Sequence, residues 1–201
     1  MKQRLNSCIL TVLACTALFS CGNSHKRTAE DAARKATVVK DTTLYARIDR
    51  HSEDTLYVTA IADGRRHSLG YAEAKRSGHM AGSPIDGDTV ASMPDFRQHK
   101  MQSVINISQL KGLWMDEIDR TSGMRLAADG GAYSIGAGKE TLRSWHIANG
   151  RIILTYVGSP ESGTAETSEE ANITSLDAAT LALNFDGKLR VYKRQTGLIS
   201  K

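Results

Sequence analysis

From Leu113 onward the chain repeats one pattern eight times: a short run with apolar residues at every second position, then a tight turn. The runs are Leu113–Asp119, Met124–Ala128, Ala132–Ile135, Leu142–Ile147, Ile152–Val157, Asn172–Leu176, Thr180–Phe185 and Lys188–Arg194. Between them stand "RTSG", "DGG", "ANGR", "LDAAT" and "DGK", which put Gly, Asn or Asp where a turn needs positive φ. Connections this short leave no room for crossover helices, so successive strands must pair antiparallel in an up-and-down meander. Eight such strands close a barrel, which removes the exposed edges of an open sheet. The expected fold class is all-β.

A second all-β segment precedes it. "TTLYARID" and "DTLYVTAIAD" share the element Thr-Leu-Tyr (Thr43-Leu44-Tyr45 and Thr55-Leu56-Tyr57) and flank the turn-rich "RHSED", the pattern of a hairpin. "HSLGYAEAKRSGHMAG" has room for one or two more strands, and Asp86-Gly87-Asp88 marks a turn. Residues 41–94 are therefore expected to form a small module of about five strands, OB- or SH3-like, with no motif to decide between them. In "MPDFRQHKMQSVINISQL", Pro94 with Asp95 suits a helix start, and 95–109 is expected to be a short helix or linker between two domains. The second domain spans 110–195, and 196–201 is a tail.

The N-terminus has the parts of an export signal: Lys2 and Arg4, an apolar run from Cys8 to Phe19, then Ser20-Cys21-Gly22. The run is too short to span a bilayer. Residues 1–20 are expected to be removed, and 21–40, polar and without an apolar stripe, to act as a flexible tether. Leu18-Phe19-Ser20-Cys21 resembles a bacterial lipobox, which implies a diacylglyceryl group on Cys21; the alternatives are an ordinary signal peptide or an uncleaved anchor. Cleavage also removes Cys8 and Cys15, so Cys21 is left alone and no internal disulfide is available. It leaves 24 basic against 22 acidic side chains, a formal charge of +2 instead of +4. That is no electrostatic case for nucleic acid, which calls for a concentrated basic face. Asn23, Ser24 and His25 follow the cysteine without an acidic residue, which leans towards an outer-membrane lipoprotein facing the periplasm.

Residues 110–195 resemble the lipocalin-like domains of Bacteroidetes-type lipoproteins. The resemblance rests on Gly112-x-Trp114, "MRLAADGGAYSI", "WHIANGRIIL", "ITSLDAATLAL" and the closing "VYKR", in that order. It implies that Trp114 sits at the closed end of the barrel, with Arg194 from the last strand across its ring and Gly112 giving the chain room to bend. The strands are short, and there is no second family motif, cysteine bridge or C-terminal helix. A shallow mouth is therefore expected, not a deep calyx.

Motifs of catalysis are missing. The six histidines form no H-x₃-H or H-E-x-x-H spacing; "GSPESG" carries Pro160 where a nucleophilic serine would stand; "GAYSIGAG" lacks a strand-to-helix context. No metal, cofactor or enzymatic activity is implied. Candidate ligand contacts are Tyr133, Tyr156 and Tyr192, rings with polar tips on the barrel strands, and Trp145, read as sharing a strand face with Arg143 and Ile147. The acidic "ESGTAETSEE" (161–170) is the longest insertion between strands, a solvated loop or a flap over the mouth. The implied function is non-catalytic binding of a small hydrophobic or amphipathic ligand by an envelope protein tied to the membrane through Cys21. The alternative is an interaction or structural module with a filled barrel and an unidentified protein partner.

Overall fold

The computed structural model describes residues 40–136, 140–158 and 165–196; the expected signal segment, Cys21 and nearly all of the expected tether lie outside them. Two β-barrels follow one another. The first is built from β1 (Leu44–His51), β2 (Thr55–Ala60), β3 (Arg66–Gly70), helix α1 (Ala72–Arg76), the two-residue β4 (Met80–Ala81), β5 (Thr89–Asp95) and β6 (Lys100–Asn106). β1 pairs with β2 and β5, β5 with β6, and β6 meets β3 in parallel at Lys100 and Gly70. The five long strands thus close in the order β1-β2-β3-β6-β5-β1 with a helix between the third and fourth. That is the five-stranded Greek-key barrel of the OB type, which settles the choice the sequence left open. Alternation drives it: Ala46, Ile48, Leu56, Val58, Leu69 and Val90 point inward and form its core with Met101 and Val104.

Three stretches differ from the sequence reading. "AEAKR" is helix α1 where only strands were expected: its straight-chain residues favour a turn of helix, and Ala74 is its buried residue. Residues 95–109, expected as a linker or short helix, hold strand β6 and then the one-turn helix α2 (Ile107–Leu110). Pro94 starts no helix; it lies in β5 at the register shift between Met93 and Pro94, a bulge where its missing N–H is tolerated. Finally, β12 begins at Glu166, so the acidic segment is strand over 166–170, while 159–164 lie outside the described residues.

The second barrel comprises β7 (Gly112–Asp116), β8 (Gly123–Leu126), β9 (Ala132–Ile135), β10 (Glu140–Ala148), β11 (Arg151–Gly158), β12 (Glu166–Leu176), β13 (Thr180–Phe185) and β14 (Lys188–Arg194). Their order is β10-β11-β12-β13-β14-β7-β8-β9, all antiparallel. The ring returns from β9 to β10 through the Gly131–Ser144 bridge and the bond from Trp145 N to Gly130 O, 2.8 Å, so closure is near complete. Asn149-Gly150 (φ 48° and 76°) and Asp186-Gly187 (46° and 88°) make the two tightest hairpin turns in the left-handed conformation those residues allow.

From Lys40 onward the chain forms one compact unit, because the barrels share a core. On β5 and β6, Val90 and Val104 face into the first barrel, while Ala91 and Ile105 join the second barrel's cluster, with Ala81 beside them. Tyr45 fastens the junction: its Oη accepts from Ile147 N at 2.9 Å and donates to Ile147 O at 2.7 Å. The β10–β11 turn adds Asn149 N donating to Thr43 Oγ1 at 2.8 Å.

Candidate functional site

One end of the second barrel is sealed by the residues around α2. Trp114 is fully buried, and its Nε1 donates to Leu110 O at 2.8 Å. The Arg194 guanidinium lies 4.1 Å from the centroid of the Trp114 ring, and it donates to three carbonyls: Ala178 O at 2.8 Å, Lys111 O at 2.8 Å and Gln109 O. Helix C-termini leave carbonyls without intrahelical partners; here an indole and a guanidinium supply the donors. Burial lowers the Arg194 pKa, and nearby Asp177 partly offsets this. Gly112 has φ 140°, and a Cβ there would fall 2.4 Å from Arg194 Nη1.

Inward side chains fill the barrel above this seal. Leu126, Ile147, Ile152, Leu154, Leu181 and Leu183 are all essentially inaccessible. Trp145 is one of them in kind: it is 5% exposed, and its Nε1 donates to Ala127 O at 3.0 Å. It does not share a face with Arg143. The register of β10 shifts between Leu142 and Ser144, which turns Leu142, Trp145 and Ile147 inward and leaves Arg143 outside, 2.9 Å from Glu166 Oε1.

At the opposite end lies a cavity of about 380 Å³, lined by Met124, Ser134, Leu142, Tyr156, Tyr192 and Arg190 and rimmed by Asp116 and Ile135. Tyr192 is 7% exposed and shares the cavity wall with Arg190, whose guanidinium stands 5.0 Å from the centroid of the Phe185 ring. Burial pushes the Tyr192 phenol above its ordinary pKa, more than the neighbouring Arg190 draws it back. Burial alone would lower the Arg190 pKa, yet the neighbouring Tyr192, Glu169 and Tyr156 raise it on balance. The cation therefore stays charged over an apolar floor of Met124 and Leu142. A larger depression of about 690 Å³ on the first barrel holds His51 paired with Asp86 at 2.6 Å and Tyr71 donating to Ser52 O at 3.0 Å, with Glu53 and Lys75 also on its lining.

Of the four candidate contacts, the structure brings Tyr156 and Tyr192 together at the mouth. It places Trp145 in the core and Tyr133 on the outer surface, 54% exposed. Arg190 escaped the sequence reading although its signal was present. Counting back in twos from Arg194 along β14 gives Tyr192 and then Arg190, three residues on one face running from seal to mouth.

Residues 106–195 match the model of the lipocalin-like family. A solved structure of a lipocalin-like protein from Bacteroides thetaiotaomicron is 24% identical in sequence; the alignment covers 42% of this chain and 95% of that one, with a TM-score of 0.38. No curated protein matches. The matched segment begins at Asn106, so it takes in the α2 carbonyls that seal the barrel as well as all eight strands, and residues 106–195 are a lipocalin-like domain.

Proposed function

We propose that this domain binds a small amphipathic molecule at the mouth of its barrel without catalysing a reaction, on a protein held at the cell envelope by an acylated Cys21. The observation that carries the reading is the pairing of Arg190 and Tyr192 above Met124 and Leu142 in a cavity of about 380 Å³. Ligand sites combine an apolar lining with a few oriented polar groups, at volumes of roughly 300–1,000 Å³. A ligand's polar or anionic end meets the guanidinium and its apolar part lies against the floor. The packed interior limits how far it enters, so short or partly inserted molecules fit best.

The test is native mass spectrometry of the purified full-length protein, followed by titration with dodecanoate and dodecanol. Bound amphiphile, or saturable binding favouring dodecanoate, supports the reading; a protein free of adducts that binds neither overturns it. In that case the filled lower barrel favours the alternative, an envelope interaction module. The anchor is tested separately by Cys21→Ser, which releases the protein from membranes if the cysteine is acylated and leaves it membrane-bound if not.

A further inference from the structure

The first barrel carries an open cleft of about 560 Å³ on its outer face, lined by Asp49, Arg50, Tyr57, Arg66, His67 and Ser68. The outward side chains of β1, β2 and β3 stand there in two cross-strand rows, Arg47–Thr59–Arg66 and Arg50–Tyr57–Ser68. A bulge in β1 makes this possible. Arg47 and Arg50 are three positions apart and would face opposite sides of a regular strand, but the register shifts between Ile48 and Arg50, with Asp49 as the extra residue, and both arginines face outward.

The face gathers three guanidiniums, those of Arg47, Arg50 and Arg66, around one carboxylate. Asp49 is already engaged: its Oδ1 accepts from Arg47 Nη2 at 3.1 Å and its Oδ2 from Thr59 Oγ1 at 2.6 Å, while Arg66 acts on it only from beyond ion-pair distance. Among the described residues neither Arg50 nor Arg66 forms an ion pair. Arg50 is nevertheless held in place, its guanidinium 3.6 Å from the centroid of the Tyr57 ring. Stacking occupies the face of the guanidinium and leaves its in-plane N–H donors open to a ligand. Beside them His67 lies against Phe96, ring centroids 4.9 Å apart, and Phe96 is 49% exposed.

We propose that this cleft binds a phosphate monoester through Arg50 and Arg66. Three cations against one carboxylate leave two positive charges unmatched, and a phosphate monoester near neutral pH carries about that much negative charge, where a carboxylate carries half. Guanidinium forks also bond phosphate oxygens in pairs, and the Ser68 hydroxyl adds a further donor on the same row. The organic part of the ester lies towards the His67–Phe96 rings. A free ester and the headgroup of a phospholipid present the same chemistry to this cleft.

The test is calorimetric titration of the full-length protein with phenyl phosphate as the free ester and dihexanoylphosphatidic acid as the headgroup, against benzoate and dihexanoylphosphatidylcholine. At least one monoester should bind about fivefold or more tightly than either control, and the one that binds better identifies the source. Arg50→Ala and Arg66→Ala should each weaken that binding about fivefold or more, while Arg190→Ala at the other barrel leaves it unchanged. Both arginines are exposed, so neither replacement should unfold the chain, which circular dichroism checks. Absence of binding by both monoesters, benzoate binding equally well, or binding that survives both arginine replacements would overturn the proposal. So would monoester binding lost in Arg190→Ala, which would place the ester at the mouth, or oligothymidylate bound where neither monoester is.

Discussion

Arg194 occupies the space that a side chain at residue 112 would need: a Cβ on Gly112 would lie 2.4 Å from Arg194 Nη1, where the guanidinium donates to Lys111 O. The glycine and the arginine are thus a matched pair, one supplying the space and the other filling it. Gly112→Ala meets two costs, a φ of 140° that non-glycine residues avoid and a clash with Arg194. Each is of order 1–3 kcal/mol, so a loss of about 3 kcal/mol in urea unfolding is expected. In an Arg194→Ala background the clash disappears and only the backbone strain remains, which should roughly halve the cost. Equal costs in both backgrounds would mean that the two residues do not act together.

Asp177 makes the seal sensitive to acid. Its carboxylate accepts from Ala179 N and Thr180 N, both at 2.7 Å, and so shapes the turn whose Ala178 and Ala179 carbonyls receive Arg194. The bond from Ala179, then that from Thr180, lowers the Asp177 pKa below its usual 3.8. A depressed folded-state pKa gives stability that is present above the unfolded value and lost as pH falls through the folded one. Unfolding followed by Trp114 fluorescence should therefore show stability declining below about pH 4. Asp177→Asn should flatten that part of the profile; an unchanged slope would assign the acid sensitivity to other carboxylates.

The barrel was readable in the sequence because its signal is local and repeated. Each inward residue has its partner two positions away, and Asn149-Gly150 and Asp186-Gly187 state their turns outright. The same period reaches Arg190, and only attention to the end of β14 hid it. What was not readable depends on contacts distant in sequence. The β10 register shift that separates Trp145 from Arg143 shows only once β10 is laid against β11. The two-faced β6, with Val104 turned into one barrel and Ile105 into the other, reads as a linker until both barrels exist around it. Tyr45 and Ile147 lie 102 residues apart, and no short-range pattern announces their bond.

That bond predicts how the chain unfolds. Tyr45→Phe removes the partner of both the N–H and the C=O of Ile147, at a part-buried place. Unpaired buried groups cost about 1–3 kcal/mol each, so a loss of about 2 kcal/mol is expected. Because the barrels share a core, tryptophan fluorescence, which reports only the second barrel, should follow the same single transition as circular dichroism of the whole chain. Two separated transitions in the unmodified protein would show that the junction does not couple the barrels.

At the mouth, binding and stability should separate. Arg190 is exposed and its guanidinium lies against the Phe185 ring at 5.0 Å, a contact worth about 0.5–1 kcal/mol at an exposed site, so Arg190→Ala should change unfolding by no more than about 1 kcal/mol. A hydrogen bond to a charged group is worth about 1.5–3 kcal/mol, which predicts dodecanoate binding weakened roughly tenfold or more, with dodecanol little affected. Tyr192→Phe removes a polar group that lines the cavity beside the guanidinium and should cost dodecanoate affinity by about fivefold, a smaller loss because the charge remains. Trp114→Phe at the sealed end should do the reverse, lowering stability while leaving dodecanoate affinity largely intact, since Trp114 is fully buried and meets the mouth only through its cross-strand partner Met124. Calorimetric titration of the three variants decides the matter: dodecanoate affinity lost in Trp114→Phe but kept in Arg190→Ala would place the ligand at the wrong end of the barrel for this reading.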